Sequence, residues 1–131
     1  MRARGGGRIV NVASVAAKRV LPGSAPYAAS KAALITLSRS LAVDLGPDGI
    51  TVNSVSPGQT PTALRGWDEP AGTPPAPATS GSTGGIPLGR RGTLADYVGA
   101  VLFLCSSLAD YVTGVDIPVE GGGRLVRART Y

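Results

Sequence analysis

The hydrophobic pattern changes period several times along the chain. Residues Arg8–Val12 (Arg-Ile-Val-Asn-Val) form a β-branched run between Gly5–Gly7 and a small-residue turn, which predicts a buried strand. From Pro26 to Leu45 the period becomes helical, with Leu34, Leu37, Leu41 and Leu45 in phase and the breaker pair Gly46-Pro47 beyond. Ile50–Val55 is β-branched again and closes on Pro57-Gly58, so a second strand is expected there. Between Thr60 and Gly85, Pro, Gly, Ala, Ser and Thr crowd out any apolar period, and the stretch reads as a long mobile loop. Thr93 with Asp96 three residues on has the form of a capping box. Behind it Leu94, Val98, Val101, Leu102, Cys105 and Leu108 predict one apolar face on a helix running to about Leu108. Val115–Val119, between Thr113-Gly114 and Gly121–Gly123, predicts a third strand. The basic tail beyond it shows no clear pattern.

The order β-α-β-loop-α-β implies parallel pairing through right-handed crossovers, and hence an α/β sheet of three parallel strands with flanking helices. Three strands make a small sheet for this architecture, whose strands normally lie inside larger sheets covered on both faces. The near-continuous apolar run of the first strand suits a central position with neighbours on both sides. Pattern alone therefore points to a partial domain over residues 1–131, with a mobile substrate-loop region at residues 63–85.

Composition narrows the function classes. At 131 residues and 43% hydrophobic content the chain can bury a modest core. Its longest apolar stretches, such as Gly99–Cys105, fall far short of the roughly 20 residues that cross a bilayer, and Met-Arg-Ala-Arg followed by glycines is no secretory signal. A cytoplasmic protein with no membrane partner is expected. A single cysteine, Cys105, excludes an intrachain disulfide, and with no histidine a Cys/His metal site is excluded too. The net charge of +5 is concentrated in arginines at the two ends without interleaved aromatics, so solvated termini account for it better than a nucleic-acid partner does.

Candidate chemistry gathers at three residues. Ser14 ends the first strand, and the C-terminal end of a parallel strand opens into the crevice where open α/β sheets bind ligands. Tyr27 and Lys31 follow at the start of the long helix, four residues apart and so on one face. An ammonium beside a phenol favours its ionised form, which would let Tyr27 serve as acid or base. Taken alone, such a Tyr/Lys pair is a weak signal that usually marks a solvated helix face.

Strand, serine, a thirteen-residue offset to tyrosine, then lysine on an Ala-rich helix together resemble the short-chain dehydrogenase/reductase family. The resemblance covers nearly the whole chain. Residues 7–14 look like the family's fifth strand, Tyr27-Ala28-Ala29-Ser30-Lys31 like its catalytic helix, and residues 50–58 like its sixth strand with the Pro57-Gly58 turn that packs against the nicotinamide. Thr60 and Thr62 fall in the segment that contacts the cofactor, although Thr60 stands where the family usually has an aliphatic residue. Phe103-Leu104, Thr113-Gly114 and Glu120-Gly121-Gly122 match the last helix and strand, with Glu120 replacing the more usual aspartate.

The resemblance implies an NAD(P)-dependent oxidoreductase that interconverts a ketone and a secondary alcohol. Tyr27 would exchange the proton, Lys31 would hold the nicotinamide ribose and act on Tyr27, and Ser14 would orient the substrate oxygen. Pro57, Gly58, Thr60 and Thr62 would complete the cofactor contacts, with Gly58 letting backbone approach the cofactor.

The departures from the family are equally specific. The opening strand with its T-G-x-x-x-G-x-G turn, where a helix N-terminus takes the pyrophosphate, has no counterpart, and neither Gly5–Gly7 nor Gly121–Gly123 has the strand-turn-helix order of a dinucleotide fingerprint. The ribose-selecting residue, the Asn-Ala-Gly segment and the upstream asparagine are also without counterparts, so NAD and NADP are not distinguished. Met1 to Gly7 reads like the end of the helix before the fifth strand, and Met1 like an internal methionine. The expected partners are a small carbonyl or alcohol substrate and either a second copy of the chain or a complementing N-terminal half. The alternative is a non-catalytic remnant that pairs through the helix 26–45.

Overall fold

In the computed structural model, residues 1–19, 22–60 and 85–125 are described. They build β1 (Gly7–Val12), α1 (Ala25–Leu45), β2 (Ile50–Pro57), α2 (Leu94–Cys105) and β3 (Asp116–Val119), with short 3-10 turns at Arg2–Arg4, Val15–Ala17, Gly46–Asp48 and Ser107–Ala109. The expected loop region 63–85 and Thr62 lie outside the described residues, Gly85 excepted.

The sheet is parallel throughout, in the order β1-β2-β3. Gly7 pairs with Ile50 and Val12 with Val55 along the first ladder, and Ser54 pairs with Asp116 and Pro57 with Val119 along the second. β2 is therefore the central strand. Alternation sends its even-numbered side chains to one face and its odd-numbered ones to the other. Val52 joins Ile50 and Ala42 of α1, with Ile9, Leu41 and Leu45 around them. Val55 joins Leu104 of α2 and Ala109, with Val10, Val101, Ile117 and Val119 around them. The two helices thus cover opposite faces of the sheet, as parallel sheets require.

Local chemistry explains the element ends. Pro26 sits in the first turn of α1, where a missing N–H costs nothing. Thr93 and Asp96 form the expected capping box at α2. The polar residues of β2 knit it to the segment that enters β3. Asn53, fully buried, donates from Nδ2 to the Val112 carbonyl at 2.8 Å and accepts at Oδ1 from the Val115 N–H at 3.1 Å. Thr113 Oγ1 accepts from the Val52 N–H at 3.0 Å.

Two expectations need correction. α2 ends at Cys105 rather than near Leu108, because the Ser106 side chain accepts from the Leu108 N–H and starts a separate 3-10 turn. The apolar face expected on α2 is also not the face it buries. Leu104 is fully buried and Ala100 and Val101 pack beside it, whereas Leu94, Leu102 and Leu108 are 73%, 62% and 81% exposed. The helix is apolar nearly all round, so hydrophobicity alone does not tell which stripe meets the sheet.

Leu104 has no exposed surface and joins all three strands' apolar side chains on its face of the sheet. Leu104→Ala should lower unfolding free energy by about 2–5 kcal/mol through lost burial and the cavity left behind. Urea denaturation measures this, and a loss under about 1 kcal/mol would mean that the site collapses or that the packing is looser than described.

Candidate active site

The strands of a parallel sheet all end on one side, and here their C-terminal ends frame a cleft of about 680 Å³. Val12 and Ala13 after β1, Pro57 and Gly58 ending β2, and Glu120 after β3 all line it. Ser14, Tyr27, Lys31 and Thr60 line the same cleft, so every candidate residue among those described converges on one space.

Ser14 is nearly buried and caps the 3-10 turn Val15–Ala17, its Oγ accepting from the Ala16 N–H at 3.1 Å. That bond uses a lone pair of the hydroxyl and leaves its proton free to be donated. Tyr27 lies in the first turn of α1 and is 40% exposed. Its hydroxyl has no hydrogen-bond partner among the described residues. Lys31, one turn further on, places Nζ 5.8 Å from the centre of the Tyr27 ring. The ammonium donates to the Val12 carbonyl at 2.9 Å, which ties the helix to the end of β1 and leaves two of its three protons for other acceptors.

Gly58 has a structural reason of its own. A Cβ there would meet Glu120 Cβ at 2.6 Å and Cα at 2.8 Å, so glycine is required where the end of β2 crosses the residue after β3. Behind the turn, Thr60 Oγ1 and the Tyr97 hydroxyl share a short hydrogen bond. Gly92 leaves room for that phenol, since a Cβ there would lie 2.5 Å from its oxygen. Burial pushes the Tyr97 hydroxyl pKa above its ordinary value of 10.0, against the lowering effect of the Thr60 bond.

The loop that carries Ser14 is fastened by an ion pair. Lys18 Nζ meets Asp116 Oδ2 at 2.7 Å, while Ser54 and Ser56 both donate to Oδ1 at 2.7 Å. The Asp116 side chain is 1% exposed. Burial pushes its carboxyl pKa up, but the bonds from Lys18, Ser56 and Ser54 and the nearby ammonium outweigh burial and hold it below its ordinary 3.8. At α2, the Arg90 guanidinium holds the Asp96 carboxyl well below the usual carboxylate range, helped by the Thr93 N–H and hydroxyl.

Lys18, Asp116, Tyr97, Arg19 and Arg124 are the site residues that sequence reasoning passed over. An acid inside a β-branched run was a usable signal at Asp116, because a charge there must find a partner. Arg19 and Arg124 carry no local signal. They reach the cleft only because the loop after β1 and the turn after β3 meet, with Arg19 Nη1 donating to the Gly123 carbonyl at 2.5 Å.

A parallel sheet with helices on both faces and a polar cleft at the strand ends defines a Rossmann-like α/β protein. A family profile described as Enoyl-(Acyl carrier protein) reductase matches residues 1–123. The chain belongs to the short-chain dehydrogenase/reductase family. It is 45% identical to Protein FixR of Bradyrhizobium diazoefficiens over 91% of its own length and 40% of that protein. With the cyclohexanol dehydrogenase of a Rhodococcus species it shares 43% identity over 93% of its length and 44% of that enzyme. A solved gluconate 5-dehydrogenase from Burkholderia cenocepacia, in complex with NADP and tartrate, superposes with a TM-score of 0.84 at 33% identity, covering 96% of this chain and 48% of that one. The chain thus spans less than half the length of these relatives. Among its described residues no helix is long and apolar enough to cross a membrane.

The Asp116 carboxyl has a depressed native pKa, so the stability it contributes is fully present above the ordinary value and is lost as pH falls through the native one. The stability gap between wild type and Asp116→Asn should therefore narrow from about pH 6 to about pH 3. Urea midpoints across that range check this, and a gap that holds constant would show that the carboxylate's charge is not what fastens the loop.

Proposed function

We propose that this chain is the catalytic half of an NAD(P)-dependent oxidoreductase interconverting a ketone and a secondary alcohol. The observation that carries the reading is the convergence of Ser14, Tyr27 and Lys31 on one cleft at the C-terminal ends of the strands. Tyr27 holds the proton that the substrate oxygen gains or loses, and its hydroxyl is free to face that oxygen. Ser14 donates its unused proton to the same oxygen and steadies the charge that develops there. The ammonium of Lys31 lies over the Tyr27 ring, 5.8 Å from its centre, beside the group that exchanges the proton.

The donor set suits the nicotinamide end of the cofactor. Two protons of Lys31 remain for ribose hydroxyls, and Pro57, Gly58 and Thr60 present backbone along one wall of the cleft. When bound, the nicotinamide donates or accepts the hydride. By the family resemblance, Thr62 would add a further contact to the cofactor. No glycine-rich strand-turn-helix stands among the described residues to take the pyrophosphate, so a complementary nucleotide-binding half completes the site.

A second reading is favoured by one feature of α1. Leu37 and Val43 are 51% and 77% exposed, which suits a helix that pairs with another copy or a longer relative. β1 adds to this, since among the described residues its one strand neighbour is β2.

Joined to the nucleotide-binding half of a relative, the chain should reduce a carbonyl substrate with NADH or NADPH, and Tyr27→Phe should lower kcat by at least about a hundredfold. Lys31→Ala should raise KM for the cofactor, because the ammonium that would hold the nicotinamide ribose is lost. Wild-type turnover in Tyr27→Phe would remove Tyr27 as the proton donor. Alone, the 131-residue chain should sediment as a dimer or larger species and bind no NAD(P) at millimolar cofactor. A monomer with micromolar NADPH affinity would overturn the assignment of a separate pyrophosphate half.

A further inference from the structure

The charges lining the cleft are unequal. Among the described residues it is lined by Arg19, Lys31 and Arg124 against a single acid, Glu120. Lys31 is engaged at the Tyr27 end, where it donates to the Val12 carbonyl. Arg19 Nη1 holds the carbonyl of Gly123, the residue before Arg124, so the segments that carry the two arginines are joined. Glu120 offsets them only in part, through an ion pair with Arg124. Its side chain is 7% exposed, and its Oε2 is taken by the Arg124 backbone N–H at 2.6 Å. Its other oxygen stands 3.6 Å from Arg124 Nε, too far for a hydrogen bond. A guanidinium has five N–H donors in a fixed fork. Among the described residues Arg19 uses one of its donors on Gly123, and Arg124 makes no side-chain hydrogen bond. Both therefore keep donor pairs in the geometry that grips a carboxylate or a phosphate.

We propose that Arg19 and Arg124 form an anion subsite of this cleft, and that the substrate is a carbonyl compound, or the corresponding alcohol, carrying a carboxylate or phosphate. The proposal rests on the reading of the cleft as a carbonyl site. The anionic group sits on the guanidinium pair while the carbonyl oxygen faces Ser14 and Tyr27. Three cations against one acid disfavour a cationic substrate, and a neutral one leaves the arginine forks to water.

The test needs neither cofactor nor turnover, so it can fail independently of the oxidoreductase reading. Saturation-transfer NMR on the full 131-residue chain in about 0.15 M salt, enough to screen exposed charges, compares acetoacetate with its methyl ester. These probes share the ketone and differ in the charge. The acid should bind at least about tenfold tighter than the ester. Arg19→Gln and Arg124→Gln, each checked for folding by circular dichroism, should each remove most of that preference and leave the ester unchanged. Arg2→Gln, on the exposed Arg2–Asp48 pair, should leave both unchanged. Equal binding of acid and ester by the wild type, or no binding of either, overturns the proposal without any variant. So does a preference that survives both arginine changes or is lost in Arg2→Gln. Inorganic pyrophosphate serves as the probe for a cofactor diphosphate. If it displaces the acid at lower concentration than the acid's own dissociation constant, the subsite belongs to the cofactor and the proposal fails.

Discussion

β2 is the strand to which every other element is referred, because it carries hydrogen-bonded neighbours on both edges and helices on both faces. Such a strand loses water from its backbone and its side chains together, so its sequence must satisfy two demands at once. Ile50, Val52 and Val55 supply the apolar contacts, while Asn53, Ser54 and Ser56 are buried polar residues that would be costly without partners. Each finds its partner in the segment that leads into β3 or in β3 itself. Register between β2 and β3 is thereby set by side chains as well as by the ladder, and the position of Pro57-Gly58 at the mouth of the cleft follows from it.

The same polar interior extends to the loop that carries Ser14. Asp116 is buried on the α1 side of the sheet and would be intolerable unpaired. Lys18 answers it from the loop after β1, so the charge that β3 brings inside is neutralised by the segment that must be held still. Lys31 performs a comparable task from α1 by gripping the Val12 carbonyl. Two ammonium groups thus fix both ends of the segment between Ser14 and Tyr27 to the sheet. Alignment of a serine and a tyrosine thirteen residues apart in the chain is a consequence of these anchors.

The cleft brings together two kinds of charged group. Lys31 lines it beside Pro57, Gly58 and Thr60. Arg19 and Arg124 add guanidinium groups, one bonded to the Gly123 carbonyl and the other ion-paired with Glu120. Tyr97, which also lines the cleft, is hydrogen-bonded to Thr60.

The resemblance to the family singled out Ser14, Tyr27 and Lys31, and the pattern of the chain by itself determined the five main elements, their order and the parallel sheet. These depend on local periods, on breakers such as Gly46-Pro47 and Pro57-Gly58, and on a capping box, all of which act over a few residues. Spacing also placed Tyr27 and Lys31 on one helix face, although it did not reveal that the ammonium bonds the Val12 carbonyl. Only the tertiary structure decided which stripe of α2 meets the sheet, since an all-round apolar helix presents several equivalent faces and the strands choose among them by shape. Only it explained Gly58 by the approach of Glu120, 62 positions away in the chain, and brought Arg19 against Gly123, 104 positions away. Such contacts join segments whose sequences are unremarkable one by one. Their chemistry arises from distance in space, which no local period encodes.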